Sequence, residues 1–140
     1  MTSTTTNLHT MATCVDMHGI HRGDQFAQPG NLPLFDISAL AYLVAENVPA
    51  HQAPGVFFTD ECASIALIES SEQAMTVIRA ISAALDTDPC ETDGKPDYIE
   101  HVSNWAATPA PFETQPPTTS EVIGCILRAA QAQHTAPNAA

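Results

Sequence analysis

Apolar residues at three- and four-residue steps organise the stretch from Thr59 to Asp86, TDECASIALIESSEQAMTVIRAISAALD. In its second half Ala74, Met75, Val77, Ile78, Ile81 and Leu85 form one stripe. Glu72, Gln73, Thr76 and Arg79 fall on the other side of the same wheel, the pattern of a helix with one buried face. In the first half Cys62, Ile65, Ala66, Leu67 and Ile68 cover more of the circumference. That predicts burial on more than one side, and places the centre of the core there. Glu69-Ser70-Ser71-Glu72 interrupts the pattern. A serine there can accept from the free amides of a new helix start, and Glu72 is favourable in a first turn, so a kink or restart is expected near Ser70.

The same periodicity places the other elements. Leu8, Met11, Ala12 and Val15 give a short stripe that Thr6 or Asn7 can cap and Gly19 can end. Asp36 is a good N-cap for a helix carrying Ile37, Leu40, Ala41 and Val44 to about Asn47, with Phe35 and Leu40 placed as a hydrophobic staple and Pro49 as the stop. Val56-Phe57-Phe58 reads as a short extended segment or as a plug of aromatics into the core. Tyr98, Ile99, Val102, Trp105 and Ala106 return to helical spacing between Pro96 and Pro109. Residues 109–117, PAPFETQPP, carry four prolines and should be extended. The last helix opens on a capping box, Thr118 to Glu121, and buries Val122, Ile123, Ile126, Leu127 and Ala130.

The fold expectation is therefore all-α: a compact bundle of four to six short helices around a central helix 59–86. The alternative is α+β, with a minor small sheet from 20–35 or 55–58. Its 140 residues suit one domain, here 8–131, with residues 1–7 disordered and 132–140 a flexible tail.

Charge narrows the function. Sixteen acidic side chains face only Arg22, Arg79, Lys95 and Arg128, for a formal net charge of -12. Direct binding to nucleic acid or to an anionic membrane needs clustered Lys and Arg, and is not expected; a basic protein partner is favoured electrostatically. Cys14, Cys62, Cys90 and Cys125 are widely spaced with no CxxC, as in reduced and mostly buried thiols of a cytoplasmic protein. The N-terminus has neither a basic start nor an apolar run, and no segment has the length and apolarity of a membrane helix.

Candidate chemistry is sparse. His18-x-x-His21 with Asp16 and Asp24 is the one cluster with metal-ligand residue types. Gly19 and Gly23 argue against the helix that would align the two imidazoles, and no third ligand follows at motif spacing, so no metal is expected. Cys62 lies near a helix start, but Asp60 and Glu61 oppose a thiolate and no histidine is placed as its base, which reads as a packed cysteine. His101, between Tyr98 and Trp105, reads as a structural hydrogen-bonding residue. The acidic stretch 86–97 has five carboxylates to one lysine but lacks the ligand spacing of an EF-hand, and reads as a solvated loop. The proline segment has no basic-flanked PxxP, and GxGxxG, GxxxxGK[ST] and GxSxG are absent from the sequence. No catalytic or cofactor-binding residue is expected.

HGIHRGDQF, FDISALAYLVAE, the Cys-Ala start of the central helix, Trp105 and TTSEVIGCILRAA together resemble a group of small uncharacterised actinobacterial proteins over most of residues 8 to 130. The resemblance implies a bacterial cytoplasmic setting and a small helical domain, and carries no activity and no site residues. The expected function is a small acidic protein-interaction or regulatory domain, more an interaction protein than an enzyme, docking an acidic or proline-bearing surface. Two alternatives stand beside it: an acidic mimic of nucleic acid occupying a basic site, and a small metal-dependent enzyme using the His18/His21 region.

Overall fold

Short polar side chains cap the starts of six of the seven α-helices among the described residues. A computed structural model describes residues 3–135; expectations for residues 1–2 and 136–140 lie outside the described residues. Ser3 accepts from the Thr6 amide at 3.1 Å, so α1 runs Thr4–His18 and takes in most of the segment expected to be disordered. Asp36 caps α2 (Ile37–Ala45) by accepting from Ser38 N at 2.7 Å. Asp60 caps α4 (Glu61–Glu69), Ser71 caps α5 (Glu72–Ala83) and Asp97 caps α6 (Tyr98–Ala107). The reciprocal box holds at α7 (Thr119–Thr135), where Thr118 N donates to Glu121 Oε1 at 3.0 Å and Glu121 N donates to Thr118 Oγ1 at 3.1 Å. That helix continues past the expected boundary at 131.

The helix ends are equally local in cause. Asn47, at φ 56, closes α2 with Val48 N donating to Leu43 O at 2.8 Å and Asn47 N to Val44 O at 3.2 Å, the paired bonds of a Schellman end. Val56–Thr59 forms a single helical turn, α3, rather than an extended segment. Phe57 drops from it into the core, completely buried, edge-on to Tyr42 with ring centroids 5.7 Å apart.

Seven α-helices and two two-stranded sheets make up the described chain, a mostly helical fold with a minor sheet component. The first sheet, β1 (Ala27–Gln28) with β2 (Leu34–Phe35), is antiparallel, Ala27 opposite Phe35, inside the 20–35 stretch of the expected alternative. The second, β3 (Glu91–Thr92) with β4 (Lys95–Pro96), lies in the acidic stretch read as a loop. Asp93 and Gly94 both take positive φ, 55 and 77, which is what a two-residue hairpin turn of matching twist requires.

The central stretch holds two α-helices, α4 and α5. The 59–86 stretch breaks at Ser70-Ser71, as the polar interruption predicts, and α5 alone touches α1, α2, α4, α6 and α7. Val77, Ile78 and Ile81 are at most 1 % exposed and join Leu8, Met11 and Val15 of α1, Ile37 of α2, Val102 of α6, and Val122 and Ile126 of α7 in one core. The expectation that the Cys62–Ile68 turn is the centre of the core is corrected. Only Ser64 and Ile68 of α4 are buried, while Cys62, Ile65 and Ala66 face outward. The principal neighbours of α4 are α2, α3 and α5, so one side of its apolar ring has no helix to cover it. Leu127 of α7, expected on the buried face, is likewise exposed, and Cys125 and Ala129 take that place.

Candidate functional site

The segment after α1 is where the chain's few unusual polar groups meet. Its backbone is laid between neighbours: His21 N donates to Phe35 O, Phe26 N to Phe57 O and Asp36 N to Phe26 O, at 2.8 to 2.9 Å. The side chains of the candidate metal ligands His18, His21, Asp16 and Asp24 diverge along it. His18 and Asp16 are exposed on the last turn of α1; Asp24 is exposed on the loop. His21 Nε2 donates to the Asp24 carbonyl oxygen at 2.7 Å, which uses a ring nitrogen the cluster would have needed. Among the described residues no three His, Cys, Asp or Glu side chains gather closely enough to hold a metal ion.

Arg22, in the same segment, has a different task. Its Nε donates to Ala106 O at 3.0 Å and its Nη2 to Pro117 O at 2.8 Å. Ala106 lies in the last turn of α6 and Pro117 lies just before α7, so one guanidinium ties together the two ends of the proline-rich loop 108–117. A planar fork of donors suits two carbonyls at once, and the cation is favourable at the negative end of α6.

The loop so clamped presents one large apolar side chain. Glu113 N donates to Ala110 O at 2.9 Å, closing a tight turn with Pro111 in its second place and Phe112 in its third. Phe112 takes φ 70, the left-handed conformation that this turn demands of its third residue and that glycine or asparagine normally fills. Its ring is fully exposed. Backbone strain and an unburied aromatic thus coincide at one residue, and among the described residues nothing covers the ring.

Two concave sites flank this region. The first is a cleft of about 450 Å³ between the segment 23–26, α4 and α6. Asp36, Glu61, Asp97 and Glu100 line it, with Gln25, Ser103 and Asn104. Asp36 is the buried member: its Oδ2 accepts from Ser103 Oγ at 2.8 Å as well as from Ser38 N. Burial raises its carboxyl from the ordinary 3.8 to about 6, against the opposing pull of the Ser103, Ser38 and Ala39 hydrogen bonds and of nearby His21. Gln25 donates its backbone N–H to Glu61 Oε1 at 3.2 Å, while its side-chain Oε1 is buried without a partner.

The second is a pocket of about 480 Å³ between α1 and α2, walled by Leu34, Phe35, Leu40, Leu43 and Val44 and edged by Thr10, Cys14, His18 and Asn47. His18, read from sequence as a metal candidate, therefore belongs to this pocket, apart from His21.

Against family models, curated proteins and solved structures, this chain matches none.

All four cysteines are free. The expectation that they are mostly buried holds for Cys125, whose thiol burial pushes up to about 11, and in part for Cys14, whose thiol burial also raises. Cys62 and Cys90 are exposed, because α4 turns its first residues outward and Cys90 precedes the hairpin. His101 is buried between α5 and the loop after it, with Nδ1 2.6 Å from Ser82 Oγ and Nε2 2.7 Å from Thr87 Oγ1, the structural role expected of it.

Sequence reading reached Asp36 as a cap but not as a buried carboxylate, and passed over Arg22 and Phe112. A lone aromatic between prolines, and one of only four basic side chains beside Gly23, were the signals present.

Proposed function

We propose that this chain is a non-enzymatic protein-interaction module that inserts Phe112 into an apolar pocket with a basic rim on another protein. The observation that carries the reading is Phe112 itself, strained at φ 70 and wholly exposed at the tip of a loop whose ends are held by Arg22. A flexible loop would lose conformational freedom on binding. Clamping its base removes part of that cost in advance. Aromatic anchors of this kind dominate interface energies when they fill a partner pocket. The basic rim follows from charge: Glu113 follows Phe112 in the chain, which carries -12 overall, so a basic surface is attracted and an acidic one repelled. Among the described residues no helix is long and apolar enough to cross a membrane.

Photo-crosslinking tests the proposal. A benzophenone amino acid at position 112 should capture one discrete basic protein in cells that express the chain, and the same probe at Leu32, which is 77 % exposed, should not. The same set of products from both positions would refute the role of Phe112.

A further inference from the structure

The α1–α2 pocket has a composition unlike the rest of this acidic chain, and we infer that it binds a small amphiphilic amine. Its volume of about 480 Å³ falls within the roughly 300 to 1,000 Å³ typical of small-ligand sites. The floor is aliphatic, formed by Leu40, Leu43 and Val44, and suits the apolar body of a ligand. The rim is polar, with Thr10 and Asn47 offering oxygen acceptors for a hydrogen-bond-donating head group.

The sign of the head group follows from the helices. α1 ends at His18 and α2 at Ala45, and residues at both ends, Gly19 and Asn47 among them, line the pocket. Two helix C-termini at one rim bring two negative dipole ends together. Arg22, Arg79, Lys95 and Arg128 are all absent from its lining, so among the described residues no Arg or Lys offsets that field, and His18 is the one basic side chain at the rim. A protonated amine is stabilised there and a carboxylate is repelled. The lining also lacks carboxylates, unlike the 450 Å³ cleft, so the site selects for the apolar body as well as for charge and does not act as a general cation trap.

Octylamine, octanol and octanoate form a matched probe series. Calorimetric titration at physiological ionic strength should show octylamine saturating at one molecule per chain. Octanoate should bind at least about ten-fold more weakly, a difference of about 1.4 kcal/mol, with octanol between them. Cys14, half-buried in the pocket wall, reports the place of binding. Octylamine at about four times its Kd should slow iodoacetamide alkylation of Cys14 about five-fold by occupancy alone. Cys62 and Cys90, exposed elsewhere, should react at unchanged rates, as read by peptide mass spectrometry. Saturable binding that leaves Cys14 unprotected would overturn the site. Octanoate binding as tightly as octylamine would overturn the ligand class, and the absence of saturable amine binding at millimolar concentration would overturn both.

Discussion

Arg22 Nη2 donates to the carbonyl oxygen of Pro117 at 2.8 Å, across 95 positions of sequence, while its Nε holds Ala106 O at 3.0 Å. In a chain with 16 carboxylates this scarce cation is spent on neutral backbone oxygens. The consequence is a proline loop with a fixed base.

Removing the clamp should therefore loosen the loop more than it harms the core. Arg22→Ala should cost about 1.5 to 3 kcal/mol, the range for hydrogen bonds from a charged donor. Arg22→Lys should recover little of it, since an ammonium cannot offer the planar fork that reaches both carbonyls. Urea unfolding gives the stability, and amide exchange of residues 108–117 gives the loop. Unchanged exchange in Arg22→Ala would show that the prolines alone hold the loop.

Phe112→Gly should leave the fold intact and raise its stability by roughly 0 to 1 kcal/mol, because relief of the left-handed strain is partly offset by the added freedom of the unfolded chain. No packing is lost, since the ring is fully exposed. Thermal unfolding checks this. A clear destabilisation would mean that the ring packs on the chain in solution.

Asp36 sets a pH dependence whose sign can be worked out. Its folded-state carboxyl sits at about 6, above the ordinary 3.8, because burial disfavours the charged form. The folded chain thus binds the proton more tightly than the unfolded one. The group's contribution is fully present below about pH 4 and is lost as pH rises through about 6, a change on the order of 3 kcal/mol. The hydrogen bonds from Ser103, Ser38 and Ala39 and the nearby His21 favour the charged form, and burial outweighs them. Asp36→Asn keeps an N-cap of similar quality without the charge. Its stability relative to the parent should rise between about pH 4 and pH 7 in urea titrations, and parallel pH profiles would contradict the buried-carboxylate account.

The core makes a sharper demand. Ile78 is 0 % exposed on a helix that touches five others, so Ile78→Ala should cost about 2 to 5 kcal/mol through the cavity it leaves. That is a large share of a typical stability of about 5 to 15 kcal/mol. Gln73, read from the helical wheel as polar and outward, is half-buried with its Oε1 shielded and unpartnered. Gln73→Ala removes that orphan carbonyl and should change stability by less than about 1 kcal/mol. Urea midpoints of the two variants decide the comparison.

What the sequence reveals here is what neighbours in the chain decide. The capping at Asp36, the serine restart at Ser71 and the Thr118–Glu121 box each depend on residues two or three apart, and each forms where the pattern places it. The hairpin at Glu91–Pro96 was legible too, in Asp93-Gly94, but the surrounding prolines pointed to a loop. The outward face of α4 was not legible: a wheel shows that Cys62, Ile65 and Ala66 are apolar, and says nothing of whether a second helix arrives to cover them. The candidate site depended almost wholly on such arrivals. Arg22 meets Ala106 and Pro117 only after the helices pack, and the exposure of Phe112 is a property of neighbours that do not come.

The claim that Phe112 is the docking anchor is tested most directly by its affinity. For the protein crosslinked from position 112, Kd should be measured with the parent chain and with Phe112→Gly by calorimetry at fixed salt. Loss of an interface anchor is worth at least about 2 kcal/mol, so Phe112→Gly should weaken binding about thirty-fold or more while folding as well as the parent. An unchanged Kd with a folded variant would contradict the account.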